Sequence, residues 1–237
     1  LLALIVNTAT SAGQLLAAWM IYRWRFYVPA KTRIRLVPML RAAYPFAIAA
    51  VLAAVQSRLN IILLERAADA SEIGYYAAAL RFVEAGRLLP FAFFDALFPL
   101  LASLAEVPAQ LERVFRQTLV ALLGFGLLFG VGFAIAGDWL IALVFGTEFA
   151  PAADVLQVAA WILLPLLLKG GRTLYWYVQR REGYVNAITL LAIFIQVALA
   201  LWLIPQIGAK GAALASLLTE TVAFLLLWFA PYLRLRT

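Results

Sequence analysis

Gln117-Thr-Leu-Val-Ala-Leu-Leu-Gly-Phe-Gly-Leu-Leu-Phe-Gly-Val-Gly-Phe-Ala-Ile-Ala-Gly137 is a run of 21 residues without a charge. At a helical rise of about 1.5 Å per residue it covers roughly 30 Å, the thickness of a bilayer's hydrocarbon core. Working outward, six further stretches qualify as spans: residues 1–22, 43–64, 74–104, 152–178, 184–204 and 211–232. All are continuous, rich in Leu and Ala, and too long for barrel strands, so closed β-barrels are excluded. The fold class is all-α, a polytopic transmembrane helical bundle of seven spans. Composition agrees: 66% of the 237 residues are hydrophobic, 13% are charged and mean hydropathy is +0.96. Soluble domains carry about twice that charge.

Details within the spans carry further expectations. Pro90 favours a kink in the third span, and Gly170-Gly171 offers a weak point in the fifth. Residues 139–145 extend the fourth span along the interface, and residues 107–115 form a short interfacial helix. Gly74 and Gly208 suit turns at span starts. Trp19, Trp24, Trp139, Trp176, Trp202 and Trp228 form an interfacial belt.

The cations give an orientation. Arg23, Arg25, Lys31, Arg33, Arg35 and Arg41 share one stretch without an acid. Counting loops and tails alternately places twelve cations on one side and two on the other. By the positive-inside rule the first span starts outside and Thr237 ends in the cytoplasm. The basic stretch 24–41 reads as a topology-fixing loop or as an amphipathic segment on anionic lipid. This also accounts for most of the +7 net charge, so no nucleic-acid partner is implied. The chain has no Cys and no His, which excludes disulfides, thiolate catalysis and His-based metal sites. No initiator Met or basic leader opens it, so it reads as a piece of a longer protein, starting inside a helix.

Five cations (Arg58, Arg81, Arg87, Lys169, Arg172) and three acids (Glu84, Asp95, Glu220) fall inside spans, a sum of +2. Each costs roughly 2.5–3.5 kcal/mol at mid-helix on the insertion scale, so such residues usually face a cavity or a partner. At about 100° per residue, Arg81, Glu84, Arg87 and Asp95 share an arc of about 120°. Gln56 and Asn60 share a face that Arg58 opposes. Asn186, Thr189 and Gln196 form another polar edge, as do Ser216, Thr219 and Glu220. Lys169 and Arg172 share a face with Thr173 and Trp176. Such edges suggest a bundle around a hydrated, net-cationic interior suited to an anionic substrate. The five cations are the candidate substrate-binding residues, and Glu84, Asp95 and Glu220 the candidate coupling-ion residues. Plainer roles exist: an i,i+3 pair for Arg81 and Glu84, snorkelling for Arg58, and interhelical bonding for Asp95 and Glu220.

Two stretches carry a family likeness. One is Glu72-Ile-Gly-Tyr-Tyr-Ala-Ala-Ala-Leu-Arg81-Phe-Val-Glu84, followed by Leu89-Pro90 and Phe98-Pro99. The other is Phe145-Gly-Thr-Glu-Phe149, with Ile204-Pro205-Gln-Ile-Gly208 and Gly211-Ala-Ala-Leu-Ala215 after it. Together they resemble the C-terminal half of polysaccharide flippases (Wzx-like, O-antigen and teichoic-acid exporters) of the multidrug/oligosaccharidyl-lipid/polysaccharide exporter superfamily. The resemblance implies two six-helix lobes around a central cavity. Residues 1–22 would be the last helix of an N-terminal lobe missing from this chain. Residues 23–42 would be a basic cytoplasmic inter-lobe linker, and residues 43–237 the six-helix C-terminal lobe. It further implies no cofactor, no catalysis and a bacterial or archaeal cytoplasmic membrane. The cargo would be a lipid-linked anionic glycan, flipped by alternating access, with Arg58, Arg81 and Lys169 by position among its contacts. Many members carry Asp where this sequence has Asn60. Alternatives are a multidrug or lipid II exporter, or a membrane enzyme of polysaccharide assembly.

Overall fold

The computed structural model describes residues 2–25 and 36–234. Among the described residues all regular structure is helical: α1 (Leu2–Arg25), α2 (Leu36–Ala67), α3 (Ala70–Ser103), α4 (Pro108–Phe145), α5 (Pro151–Ala159), α6 (Leu163–Val178) and α7 (Glu182–Arg234). The middle of the basic stretch, with Lys31, Arg33 and Arg35, lies outside the described residues, as does Arg236 in the tail. The chain divides into two compact units, Leu1–Ala42 and Ala43–Thr237. The first contains α1, 24 residues long, with the Arg23 guanidinium 5.3 Å from the Trp19 ring. Residues 36–42, expected in a linker, are already helical and open α2.

In the second unit five helices are long and apolar enough to cross a membrane: Ala43–Ala67, Ala70–Ser103, Pro108–Phe145, Pro151–Val178 and Glu182–Phe229. The last holds 48 residues, about 72 Å of helix and more than twice a hydrocarbon core. It breaks at Ile207 (φ −139°, ψ 22°) and Gly208 (φ 54°, ψ −131°), giving limbs 182–206 and 209–234. Two of the expected spans therefore meet within α7.

That break is held from α3 and α5. The Glu72 carboxylate accepts the Ala209 N–H at 2.6 Å, satisfying one orphan donor at the start of the second limb. Gly208 is required twice over: its φ is left-handed, and a Cβ there would run into Glu72 Oε2. Lys210 Nζ lies 2.6 Å from Asp154 on α5. The second limb then buries Ala209, Ala212, Ala213 and Ala215 completely, small residues that let neighbouring helices approach. Gly74, by contrast, lies inside α3 rather than at a turn.

Four local expectations bear on the helices, and three of them are corrected. First, α4 is a single 38-residue helix that absorbs residues 108–115 and 139–145 along with the fourth span. Leu111 and Phe115 in its first turns are buried against Tyr175 and its neighbours, so that end packs on protein rather than lying on lipid. Pro108 suits a first helical turn, where its missing N–H costs nothing, and Gly146 (φ 86°) ends the helix. Second, α3 stays helical through Pro90 and Pro99, so any bend at Pro90 leaves the helix unbroken. Third, Gly170-Gly171 lies inside α6 and serves close packing. A Cβ on Gly170 would come 2.7 Å from the Phe94 ring, and one on Gly171 2.9 Å from Leu122. The irregular point of that span is the 3-10 turn Ala160–Ile162 between α5 and α6. Fourth, Trp176 is buried and donates Nε1–H to the Leu227 carbonyl at 3.1 Å, so it is a core residue rather than part of an interfacial belt.

The end of α6 shows how the chain turns. Arg181 N–H bonds the Trp176 carbonyl at 2.9 Å, and Arg180 N–H bonds the Tyr177 carbonyl at 3.0 Å. This is the paired geometry of a Schellman cap, with Arg180 (φ 56°) where glycine is usual.

Replacing Gly208 by Ala is expected to destabilise the fold by about 1–2 kcal/mol from the left-handed backbone alone, with displacement of Glu72 added. Thermal unfolding in detergent checks this. An unchanged midpoint would show that the break tolerates a side chain.

Candidate functional site

A cleft of about 730 Å³ opens between α2, α3, α6 and α7. Each helix supplies one polar stripe to it. Gln56 and Asn60, four apart on α2, share a face, and so do Lys169 and Thr173 on α6. On α3 the stripe runs from Tyr76 through Glu84 and Arg87 to Asp95. From α7, Gln196 on the first limb and Ser216 and Glu220 on the second complete the wall, brought together by the break at Gly208.

One side of this wall is a neutral hydrogen-bond cluster. Asn60 Nδ2 lies 2.8 Å from Tyr76 OH, 2.8 Å from the Ala212 carbonyl and 2.6 Å from Ser216 Oγ. Gln196 Nε2 donates to Asn60 Oδ1 at 3.1 Å. Asn60 and Gln196 are buried, so this cluster ties α2, α3 and both limbs of α7 together rather than offering free groups. In an apolar bundle an unpaired amide would be costly, which explains why partners for Asn60 converge from α3 and both limbs of α7.

The other side is charged. Lys169 Nζ lies 2.6 Å from Glu220 Oε2, with side-chain exposures of 19% and 10%. The approach is an ion pair outside hydrogen-bond direction. The other carboxylate oxygen of Glu220 accepts Gln56 Nε2–H at 3.0 Å. Arg87 and Asp95 line the cleft with no ion-pair partner within 4 Å among the described residues. The Arg87 guanidinium sits 5.6 Å from the Phe91 ring.

The predicted site residues separate clearly. Arg87, Lys169, Glu84, Asp95 and Glu220 line the cleft. Arg58 is exposed and absent from the lining, as its opposed position on α2 implies. Arg81 is also outside, 75% exposed, in an i,i+3 pair with Glu84 at 3.3 Å. Arg172 is outside as well. Its guanidinium lies 5.4, 4.8, 5.1 and 4.9 Å from the rings of Phe115, Tyr175, Trp176 and Trp228, and its Nε donates to the Leu227 carbonyl at 3.3 Å. This nest joins α4, α6 and α7 by cation–π contact.

The charge balance differs from the +2 counted along the spans. The lining holds Arg87 and Lys169 against Glu84, Asp95 and Glu220, one acid in excess, because three of the five cations point elsewhere. Tyr76 and Phe94 were missed by sequence reasoning. Both fall on the same helical stripe as Arg87, so a wheel centred on Arg87 instead of Arg81 would have found them. Among the described residues no group of three His, Cys, Asp or Glu side chains is placed to hold a metal ion.

Comparison with known proteins adds a family. A profile of the family described as "Polysaccharide biosynthesis protein" matches residues 1–154. The chain belongs to this family. A protein of Shigella dysenteriae named "Putative O-antigen transporter" is 26% identical over 195 residues, covering 80% of this chain and 48% of that protein. The chain thus spans about half the length of that curated relative. No solved structure matches it.

Replacing Asn60 by Leu removes the two hydrogen bonds its NH2 can donate and the one its Oδ1 accepts, at roughly 0.6 kcal/mol each, so a loss near 2 kcal/mol is expected. Denaturation of the variant in detergent measures it. A variant as stable as the parent would mean the cluster does not tie the helices.

Proposed function

We propose that this polysaccharide-biosynthesis family member is the C-terminal lobe of an exporter. In this reading the cleft is half of a central cavity through which a lipid-diphosphate-linked oligosaccharide is flipped across the cytoplasmic membrane by alternating access. The observation that carries it is the presence of two cations in one cleft, Arg87, with no carboxylate within 4 Å among the described residues, and Lys169, inside a bundle of apolar helices. Guanidinium and ammonium groups are the usual binders of phosphate oxygens. The name of the Shigella dysenteriae relative, an O-antigen transporter, supports the same direction. The lobe would comprise residues 43–237, with α1 the last helix of a preceding lobe. Seven spans follow if α1 crosses once and α7 crosses twice around Gly208.

The acid excess favours a second reading, export of a cationic drug by the same architecture. It is the weaker one, because Glu84 and Glu220 are already paired with cations. What remains for a cargo is one guanidinium and one carboxylate, Arg87 and Asp95.

Charge reversal in the protein that carries this chain separates the two. Arg87→Glu is expected to cut glycan export by roughly tenfold or more, the scale of one charge-assisted contact, with lipid-linked glycan accumulating on the cytoplasmic face. Arg58→Glu, outside the cleft, is expected to export normally. Normal export by the Arg87 variant, together with an altered resistance to cationic drugs, would reverse the choice.

Orientation is separately testable, because the chain has no Cys to give background labelling. With the positive-inside topology, Thr147→Cys reacts with an impermeant maleimide on intact cells, and Gln179→Cys reacts only after permeabilisation. The opposite pattern would invert the topology.

A further inference from the structure

The Lys169–Glu220 pair sets a condition on any anion that enters the cleft. Lys169 faces the cleft, but its charge is already neutralised by Glu220 at 2.6 Å. A diphosphate reaching Lys169 would bring its own negative charge beside that carboxylate, and like charges at one site disfavour each other. No second cation lies within 4 Å of the Glu220 carboxylate among the described residues. Its other neighbour, Gln56, is neutral and donates to Oε1. The titratable and charged groups facing this position are Tyr76, Glu84, Arg87 and Asp95 from α3, and Lys169 and Tyr177 from α6; α2 and α7 contribute only neutral amides and hydroxyls besides Glu220 itself. Of the two acids on α3, Glu84 keeps Arg81 as its partner, and Asp95 is exposed to solvent. Glu220, nearly buried, is the group left uncompensated when Lys169 turns to another anion.

Resting on the exporter reading above, we propose that the cleft binds its diphosphate together with one proton, by exchange at the Lys169–Glu220 pair. The diphosphate takes over the Lys169 ammonium, which keeps all three of its hydrogens. A proton from solvent in the cleft goes to Glu220 Oε2, the oxygen that Lys169 releases. Gln56 Nε2–H continues to donate to Oε1, now the carbonyl oxygen of a neutral carboxyl group, so one hydrogen bond serves both states. The wall then holds Lys169 and Arg87 facing a diphosphate, with no negative charge left beside the ammonium. Neutralisation is the ordinary outcome for a buried carboxylate without a counter-ion. Charge is thereby exchanged at one wall without a second ion site.

The test uses the protein that carries this chain, purified in detergent, with inorganic pyrophosphate and farnesyl diphosphate as probes. Titration calorimetry in two buffers of different ionisation enthalpy counts the protons taken up per probe bound. The parent is expected to take up about one proton more than Glu220→Gln. That difference removes the probe's own titration, which both proteins share. Glu220→Gln is expected to bind at least as tightly as the parent, since its competing charge is gone. Lys169→Met is expected to bind about tenfold more weakly, the loss of one charge-assisted contact. Tighter binding of farnesyl diphosphate than of pyrophosphate identifies a lipid-linked source; equal binding identifies the free anion. Infrared difference spectra of the parent provide a readout that needs no variant: a protonated-carboxyl band should appear on adding either probe. Equal proton uptake by parent and Glu220→Gln, with no such band, would overturn the exchange and leave the exporter reading standing. Failure of the parent to bind either probe would overturn both.

Discussion

Hydrocarbon offers no hydrogen bonds, so a polar group carried into this bundle is costly unless it finds a partner in the protein. That constraint shapes the second unit more than any single packing contact. The amides of Asn60 and Gln196 meet each other, Tyr76, Ser216 and a backbone carbonyl. Lys169 meets Glu220, which meets Gln56. Arg172 is ringed by four aromatic side chains. Three different chemistries solve the same problem, and each joins helices far apart in sequence. The polar residues are therefore also what fixes the register between helices whose apolar faces would slide.

The break in α7 is what allows those partnerships. A straight helix of that length would carry residues 209–229 away from the bundle. Ile207 and Gly208 fold it back, and Gly211 lets the limbs touch, since a Cβ there would come 2.5 Å from the Leu203 carbonyl. Gln196 and Ser216 then reach Asn60 from opposite sides of the break. Glu72 and Lys210, both charged, hold the turn itself, where one ion pair is half-exposed and surface charge is cheap. Charges at the turn fasten the fold, while in the cleft Lys169 and Glu220 are paired with each other.

Much of this was legible in the sequence, and the misses have a common cause. Long apolar runs gave the helices, and Gly208, suited to a turn at a span start, marked the break. Helical periodicity placed Gln56 with Asn60 and set Arg58 against them, as the structure has it. It failed where a face meets a distant neighbour. Lys169 and Arg172 lie three apart and read as one face. The rotation of about 60° between them puts Lys169 in the cleft and Arg172 among rings supplied by α4 and α7. Phe115 and Trp228 stand 57 and 56 positions from Arg172, and no local pattern links them. Arg81 took the plainer of its two expected roles: it pairs with its local neighbour Glu84 and lies outside the cleft lining. Gly170-Gly171 looked like a hinge because the ring that fills its place, Phe94, comes from another helix.

Charge counted along spans and charge counted around a cleft are different quantities, and here they differ in sign. The span count includes Arg58, Arg81 and Arg172, none of which faces the cleft. Removing them turns an excess of two cations into an excess of one acid. Pairing then changes the balance again. Lys169 with Glu220 and Arg81 with Glu84 are internally compensated, so the groups open to a cargo reduce to Arg87 and Asp95. A cation inside a membrane helix is thus no guide to cargo until its partner is known. Arg172 and Arg87 have the same side chain and the same cost of insertion. One is spent holding three helices together, and the other stands over a single ring at the edge of a cleft. Only the second has its hydrogen-bond fork available, and recognition of a diphosphate needs that fork free.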